Sequence, residues 1–248
     1  FGKKVSESLE ADYQKKIIKL SERGIVPGLA VILIGKDSAS KVYVNSKAKY
    51  FKKMNCFSET FFLEENVSEQ HVVDLIIQLN NDNRFHGILL QLPIPNHIDE
   101  TKILSLINPN KDVDGFHPVN FGKLFQGNPC FIPCTPNGII KIIDYYGIST
   151  SGKDVVIVGR SNIVGKPMFG LLSQKFINGN ATVTLCHSRT VNIEKYTKNA
   201  DIIIAAVGKP NMIDSSMIKE GVVLIDVGIN RVKSGNEKGY ELVGDIDF

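Results

Sequence analysis

Short apolar runs, several of them bounded by glycine, alternate along the chain with longer segments whose apolar residues recur every three or four positions. The short runs predict buried strands and the longer segments predict amphipathic helices. The predicted strands are 29–34, 57–63, 87–92, 155–158, 182–186, 201–207 and 222–227. The predicted helices are 5–20, 38–54, 68–79, 99–107, 135–146, 166–176 and 192–198. Because strands and helices alternate, we expect parallel sheets of the α/β class.

A stretch with little periodicity, 108–137, separates the first series of strands and helices from the second. It is rich in proline, glycine, asparagine and aspartate, and it is too long for a routine loop. We interpret it as a hinge that also carries functional residues. The prediction is therefore two parallel-sheet α/β domains flanking a cleft, with residues 1–118 in the first domain and 119–248 in the second.

The predicted strand 155–158 leads into a glycine-containing turn, Gly159-Arg160-Ser161-Asn162-Ile163-Val164-Gly165-Lys166-Pro167. A dinucleotide-binding turn usually reads G-x-G-x-x-G. Here Ser161 takes the second glycine position and Gly165 comes one position late. The first N–H groups of a helix lack internal partners and lie at the positive end of its dipole, so the turn suits a phosphate. An ordinary strand-to-helix turn is the alternative, but the start of a β-α-β series favours a Rossmann-type site.

The end of the next predicted strand reads Cys186-His187-Ser188-Arg189-Thr190 and contains no carboxylate. Sites specific for NAD usually place Asp or Glu there to bind the ribose hydroxyls. The hydroxyl of Ser188 and the guanidinium of Arg160 suit the additional phosphate of NADP instead. The sequence therefore favours NADP over NAD, and solvated turn positions for Arg160 and Arg189 are the alternative.

Three groups of side chains in the first half could act on a small polar substrate. Tyr43 and Lys47 share one helix face, where a ring could stack on a flat heterocycle and a shielded amine could exchange protons. Gln91 lies near the carboxyl end of a buried strand, where parallel sheets bind ligands. Asp112 and Asp114 could accept hydrogen bonds from an amino-heterocycle. The alternatives are a surface lysine face, a glutamine bonded to the backbone, and turn capping by the aspartates.

Composition excludes several classes of partner. The chain of 248 residues has a formal net charge of +3, and 43% of its residues are hydrophobic. Its lysines are scattered and no apolar run reaches the ~20 residues of a membrane span, so neither a nucleic acid nor a membrane is an expected partner. The cysteines at 56, 130, 134 and 186 show no metal-ligand spacing, so no metal is expected. We interpret them as buried thiols of a cytoplasmic protein.

These separate signals coincide in one family. The chain resembles the bifunctional methylenetetrahydrofolate dehydrogenase/methenyltetrahydrofolate cyclohydrolases. The matching stretches follow the family order over nearly the whole chain, and together they are highly specific. They are Tyr43–Lys49, Gly87–Pro95, Pro109–Pro118, Pro133–Gly138, Gly159–Pro167, Cys186–Thr190, Asp226–Asn230 and Gly244–Phe248.

The resemblance implies two reactions of one-carbon metabolism that serve purine biosynthesis. A hydride passes from 5,10-methylenetetrahydrofolate to NADP, and water then opens the methenyl product to 10-formyltetrahydrofolate. Lys47 would be the central catalytic group, above all for the cyclohydrolase step, and Gln91 would contact it and help to set its protonation. Tyr43 would stack on the aromatic rings of the folate, and Asp114 would anchor the pterin.

The resemblance also implies a homodimer formed through the nucleotide domains. It implies the cofactor-binding residues Gly159, Arg160, Ser161, Ile163, Gly165, Ser188 and Ile229. Family members continue beyond the segment Gly244–Phe248 into a glycine-rich loop and a terminal helix that packs on the first domain, and we expect this chain to lack both. A monofunctional dehydrogenase and a non-catalytic folate- or nucleotide-binding protein are the alternatives.

Overall fold

The computed structural model describes residues 2–235 and 239–248. The chain forms two compact units, of which the first comprises 1–122 with 130–132 and the second comprises 123–129 with 133–248. Each unit contains its own parallel sheet. The predicted α/β class with two parallel-sheet units is therefore confirmed.

The first unit contains a three-stranded parallel sheet in the order β2-β1-β3. Its helices and strands are α1 (Gly2–Ser21), β1 (Gly28–Ile34), α2 (Ser38–Lys53), β2 (Phe57–Leu63), α3 (Glu69–Asn81), β3 (Gly87–Leu90) and α4 (Glu100–Leu106). In the register of the sheet, Gly28 pairs with Phe57 and Leu29 pairs with Gly87. The central strand β1 is therefore paired on both edges.

Both faces of β1 are covered, because successive side chains of a strand point in opposite directions. One face packs in a core that includes Ala30, Ile32, Ile34, Val72, Ile76 and Leu79. The other face packs in a core that includes Leu29, Val31, Leu33, Val44 and Leu89. These contacts place α3 on the first face and α2 on the second, so α2 is held against the strands by its buried residue Val44.

Side-chain caps fix where the helices of this unit begin. Ser68 accepts a hydrogen bond from the N–H of His71, as expected of the residue before α3. Asp99 caps α4 in the same way. The cap of α2 is Asp37, whose Oδ2 lies 2.7 Å from the N–H of Ser40, and not its neighbour Ser38, which is the first residue of the helix. Both residue types are good caps, so the sequence alone did not decide between neighbours.

The second unit is built on a parallel sheet in the order β5-β4-β6-β7. Its helices and strands are α6 (Cys134–Tyr145), β4 (Asp154–Val158), α7 (Gly165–Ser173), β5 (Thr182–Cys186), α8 (Glu194–Thr197), β6 (Ile202–Ala205), a 3-10 turn (Ser215–Met217), β7 (Val223–Asp226), β8 (Asn230–Lys233) and β9 (Tyr240–Val243). Strand β5 pairs with one edge of β4, and β6 pairs with the other edge. This reversal of strand order is the topological switch point at which doubly wound sheets bind ligands.

The sequence analysis missed one helix and one hairpin. The segment interpreted as an irregular hinge contains a helix, α5 (Pro118–Phe125), and Asp112 forms a parallel bridge with Ile88. The hairpin of β8 and β9 was also not predicted. Pro118 and Gly122 interrupt the helical pattern of α5, although proline is well tolerated in the first turn of a helix.

The interpretation of the cysteines as buried thiols is wrong for two of the four. Cys186 is buried and Cys56 is partly buried, but Cys130 and Cys134 are exposed, and all four are reduced thiols. Cys130 lies in the segment that connects α5 to α6, and Cys134 is the first residue of α6, so both lie where hydrophobic coverage is sparse. Among the helices of the described residues, none has the length and apolar character that crossing a bilayer requires.

We expect iodoacetamide to label Cys130 and Cys134 in the native protein while Cys186 reacts only after denaturation. Burial both hides the Cys186 thiol and raises its pKa, so little thiolate is available to react. Burial also raises the pKa of Cys56, which should react at an intermediate rate. Mass spectrometry of the labelled peptides over time measures the four rates. A Cys186 that is labelled as fast as the exposed pair would contradict this expectation.

Candidate functional site

A lysine and a glutamine meet at the carboxyl end of the first sheet. Lys47 on α2 donates a hydrogen bond of 3.1 Å from Nζ to Oε1 of Gln91, the residue that follows β3. The Gln91 side chain is fixed in this orientation because its Nε2 donates to the carbonyl oxygen of Leu92 at 2.9 Å. Its backbone N–H donates to the carbonyl oxygen of Ile32 at 2.9 Å. Gln91 therefore presents a neutral acceptor to the amine of Lys47 at a fixed position.

Lys47 differs from the other lysines of α2. It is half-buried, whereas the remaining lysines of the helix, Lys41, Lys49, Lys52 and Lys53, are exposed. Tyr43 lies one turn earlier on the same face, and 48% of its side-chain surface is accessible. The alternative of a uniform surface lysine face therefore fails for Lys47, and an accessible aromatic ring lies beside it.

The two aspartates of the hinge have different environments. Asp112 is only 2% exposed. Its carboxylate accepts hydrogen bonds from the N–H of Phe116 at 3.2 Å, from the N–H of His117 at 2.9 Å and from Nδ2 of Asn120 at 2.8 Å. The turn-capping interpretation is therefore correct for Asp112, which organises the start of α5. Asp114 lies two residues further on the same turn and is partly exposed.

Both glycines of the turn between β4 and α7 lie so close to neighbouring backbone that a side chain would not fit there. Gly159 has a φ of +126°, and a Cβ there would overlap the carbonyl oxygen of Ala206, which follows β6. A Cβ on Gly165 would overlap the carbonyl oxygen of Gly159 itself. Gly165 comes one position later than the last glycine of G-x-G-x-x-G, because position 165 is where the start of α7 contacts the start of the turn. The irregular spacing is thus compatible with a tight strand-turn-helix unit.

Ser161, which replaces the second glycine, caps the helix from within the turn. Its Oγ accepts hydrogen bonds from the N–H of Val164 at 3.0 Å and of Gly165 at 3.4 Å. Its carbonyl oxygen accepts from the N–H of Lys166 at 3.0 Å. The expectation that the first N–H groups of this helix lack internal partners is therefore wrong. Among the described residues of this turn, the N–H groups at 160–163 precede those that Ser161 binds and have no partner within the protein.

A cavity of about 260 Å³ opens at the carboxyl ends of β4 and β6, on both sides of the switch point. It is lined by Val158, Gly159, Arg160, Ser161, His187, Ser188, Ala206, Val207, Lys209 and Met212. Two of these described residues, Arg160 and Lys209, are cationic, and none is a carboxylate. The cavity therefore favours an anionic group, and its location is the one that doubly wound sheets use for nucleotides.

Both units match models of one family. Residues 1–114 match the catalytic domain of tetrahydrofolate dehydrogenase/cyclohydrolase, and residues 133–248 match its NAD(P)-binding domain. The chain belongs to the tetrahydrofolate dehydrogenase/cyclohydrolase family. It is 49% identical over 247 residues to the bifunctional protein FolD of Bacillus mycoides, covering 100% of this chain and 83% of that protein.

Solved structures of the family have the same fold. The bifunctional FolD dehydrogenase/cyclohydrolase of Campylobacter jejuni has a TM-score of 0.93 at 46% identity, over 100% of this chain and 85% of that one. The enzyme of Trypanosoma brucei, solved with NADP cofactor and an inhibitor, also has a TM-score of 0.93, at 35% identity, over 100% of this chain and 84% of that one. The family fold thus extends over this entire chain.

The structure brings together some of the cofactor residues that the family resemblance implied. Gly159, Arg160, Ser161 and Ser188 line the cavity. Ile163, Gly165 and Ile229 lie outside its lining, and 65% of the side-chain surface of Ile229 is exposed. Among His, Cys, Asp and Glu of the described residues, no group of three could hold a metal ion.

Sequence reasoning missed the contribution of the turn after β6. Ala206, Val207 and Lys209 line the cavity, but the first two were predicted only as the end of the strand 201–207 and Lys209 was assigned no role. The signal that could have identified them is their position after the third strand of a β-α-β series, since such ends border the ligand crevice.

We expect Gly165→Ala to weaken binding of NADP and to lower the melting temperature by several degrees, because the added Cβ overlaps the backbone of Gly159. Gly138→Ala is a matched control, since Gly138 lies within α6 and its Cβ position is open. The control should be neutral or stabilised by up to about 1 kcal/mol. Cofactor titration and thermal melting measure both effects. A Gly165→Ala protein that behaves like the control would disprove the close approach.

Proposed function

We propose that this chain is a bifunctional one-carbon folate enzyme with methylenetetrahydrofolate dehydrogenase and methenyltetrahydrofolate cyclohydrolase activities. It oxidises 5,10-methylenetetrahydrofolate with NADP and hydrolyses the product to 10-formyltetrahydrofolate. The observation that carries the proposal is the hydrogen bond between Lys47 and Gln91 at the carboxyl end of the first sheet. Membership of the family over both units supports it.

The residues 1–118 are proposed to bind the folate. Tyr43 offers its accessible ring for stacking on the aromatic part of the substrate. Asp114 offers carboxylate oxygens to the amino and ring N–H groups of the pterin. The buried Asp112 supports this role by organising the turn on which Asp114 lies.

The dehydrogenase step needs mainly orientation. Bound NADP would supply the hydride acceptor for oxidation of the methylene carbon to the methenyl cation. The chain contributes by holding the two reactants in a reactive geometry, which can supply a large part of a rate enhancement. Neither a metal nor a covalent enzyme intermediate is required in this proposal.

The cyclohydrolase step needs proton transfer, which we assign to Lys47. Water adds to the methenyl carbon and loses one proton to leave a hydroxyl group. The bond from this carbon to N5 then breaks as N5 receives a proton and the hydroxyl gives up its own to become the formyl carbonyl, so one proton is released overall. An amine within hydrogen-bonding distance can move protons between these positions. Gln91 keeps the amine in place through its fixed carbonyl oxygen without adding a charge.

NADP is the proposed cofactor, bound by residues 119–248. The cavity at the switch point suits it, because Arg160 and Ser188 lie in its lining together and no carboxylate is present among the described lining residues. The proposed cofactor residues remain Gly159, Arg160, Ser161, Ile163, Gly165, Ser188 and Ile229. A guanidinium can form two parallel hydrogen bonds with a phosphate, which favours NADP over NAD.

We further propose a cytoplasmic homodimer that binds neither nucleic acid nor membranes. The support for the dimer is the family resemblance, and β7, the last strand of its sheet, is a candidate contact. The four reduced cysteines are compatible with a reducing compartment. The product, 10-formyltetrahydrofolate, would serve purine biosynthesis.

We expect Lys47→Met to lower the cyclohydrolase rate by roughly 10²-fold or more while the protein stays folded, since positioned acid–base groups contribute about that much. Lys49→Met, an exposed lysine on the same helix, should keep both activities. The loss of absorbance of the methenyl compound measures hydrolysis, and circular dichroism measures folding. A wild-type hydrolysis rate in Lys47→Met would refute the assigned role. A wild type that oxidises methylenetetrahydrofolate without hydrolysing the product would indicate a monofunctional dehydrogenase.

The dissociation constant for NADP should be lower than that for NAD, and Arg160→Ala should reduce this difference by about tenfold, or ~1.4 kcal/mol. Arg231→Ala is the matched control, because Arg231 packs over the ring of Tyr240 and does not line the cavity. Calorimetric titration with each oxidised cofactor gives the constants. Tighter binding of NAD than of NADP by the wild type would refute the assignment of NADP as the cofactor.

A further inference from the structure

Asp245 is a completely buried carboxylate in the second unit, with 0% of its surface exposed. It lies in the segment Gly244–Phe248, beyond the hairpin of β8 and β9. A buried carboxylate is costly unless its oxygen atoms are hydrogen-bonded. Its partners therefore indicate what this residue is for.

The partners of Asp245 are the successive N–H groups of the turn after β6. Its Oδ2 accepts from the N–H of Val207 at 2.7 Å and of Gly208 at 3.0 Å, and its Oδ1 accepts from the N–H of Lys209 at 2.9 Å. Oδ1 also accepts from Nδ2 of Asn230 at 2.9 Å. Each oxygen thus accepts two hydrogen bonds, and one carboxylate holds the whole turn.

A second aspartate holds Asp245 in place. Asp226, at the end of β7, accepts hydrogen bonds from the N–H of Asp245 at 2.9 Å and of Ile246 at 3.1 Å. Two glycines make room for the carboxylates. A Cβ on Gly228 would overlap Oδ1 of Asp245, and a Cβ on Gly244 would overlap Oδ2 of Asp226.

The turn that Asp245 holds forms one wall of the basic cavity. Val207 and Lys209 line that cavity together with Gly159 and Arg160 of the turn after β4. The carboxylate itself is not among the lining residues. Asp245 can therefore act on a ligand only through the backbone that it positions.

We infer that Asp245 is a positioning residue of the cofactor site. It fixes the position of the Val207–Lys209 turn for NADP binding and for hydride transfer. This inference rests on the proposed function. If the inference is correct, Asp245 affects only one of the two activities, because the dehydrogenase uses NADP whereas hydrolysis of the methenyl compound consumes water and no cofactor. The loss of Asp245 should therefore impair the dehydrogenase and leave the cyclohydrolase intact.

Asp245→Asn tests the inference with almost no change in shape. Whichever oxygen becomes the amide NH₂ group would face two N–H donors, so two of the four hydrogen bonds are replaced by donor–donor contacts. We expect the dissociation constant for NADPH, measured by fluorescence titration, to rise by roughly tenfold or more, since small displacements at a reacting site are costly. The KM for NADP should rise and the dehydrogenase kcat should fall, while the cyclohydrolase rate per mole of protein stays at the wild-type value.

Asp247→Asn is the matched control. Asp247 lies two residues further, its side chain is exposed, and its backbone N–H bonds to Ile213. It should leave cofactor affinity and both rates unchanged. An Asp245→Asn protein with wild-type cofactor affinity, or one that loses both activities in equal proportion, would overturn the positioning role.

Gly208→Ala decides the matter if Asp245→Asn does not fold. Gly208 has a φ of +65°, and its Cβ position is free of close contacts, so alanine there strains the same turn without overpacking. Weaker NADPH binding with normal hydrolysis supports the inference, and wild-type affinity overturns it. A wild-type chain that binds no NADPH would refute the proposed function itself. Failure of the proposed function can therefore be distinguished from failure of the positioning role of Asp245.

Discussion

Parallel pairing of strands is the constraint on which both candidate sites depend. Parallel strands cannot be joined by a tight turn, so the chain returns through a helix and the carboxyl ends of neighbouring strands lie side by side. In the first unit this arrangement brings Gln91, after β3, to Lys47 of α2. In the second unit it brings the turn after β4 against the turn after β6, so closely that Gly159 admits no side chain.

Buried carboxylates shape the loops beside both sites. Asp112 organises the turn that carries Asp114, and Asp245 organises the turn after β6. Both aspartates accept backbone N–H groups that would otherwise be unsatisfied, and both also accept an asparagine amide. The acidic residues most deeply buried near these sites are therefore structural, and they act on ligands through the backbone.

The errors of the sequence analysis have physical causes. Helix α5 was missed because Pro118 and Gly122 are breakers by propensity, whereas in the fold the Asp112 carboxylate binds the N–H groups just before the helix. The choice between Asp112 and Asp114 stayed open because both lie in one turn and either role suits a carboxylate. The exposure of Cys130 and Cys134 depends on the residues that pack around them in the fold, and the hydrophobic pattern of the sequence does not encode these contacts.

The sequence by itself determined the α/β class, the order of most strands and helices, the nucleotide-type turn at Gly159–Pro167, and the pairing of Tyr43 with Lys47 on one helix face. These features follow from local periodicity and from the chemistry of short motifs. Only the tertiary structure decided that Ser161 caps α7, that the turn after β6 joins the cavity wall, and that Asp245 binds that turn across a separation of 36–38 residues. Contacts of this kind depend on strand order and on close backbone approach, which no local pattern specifies.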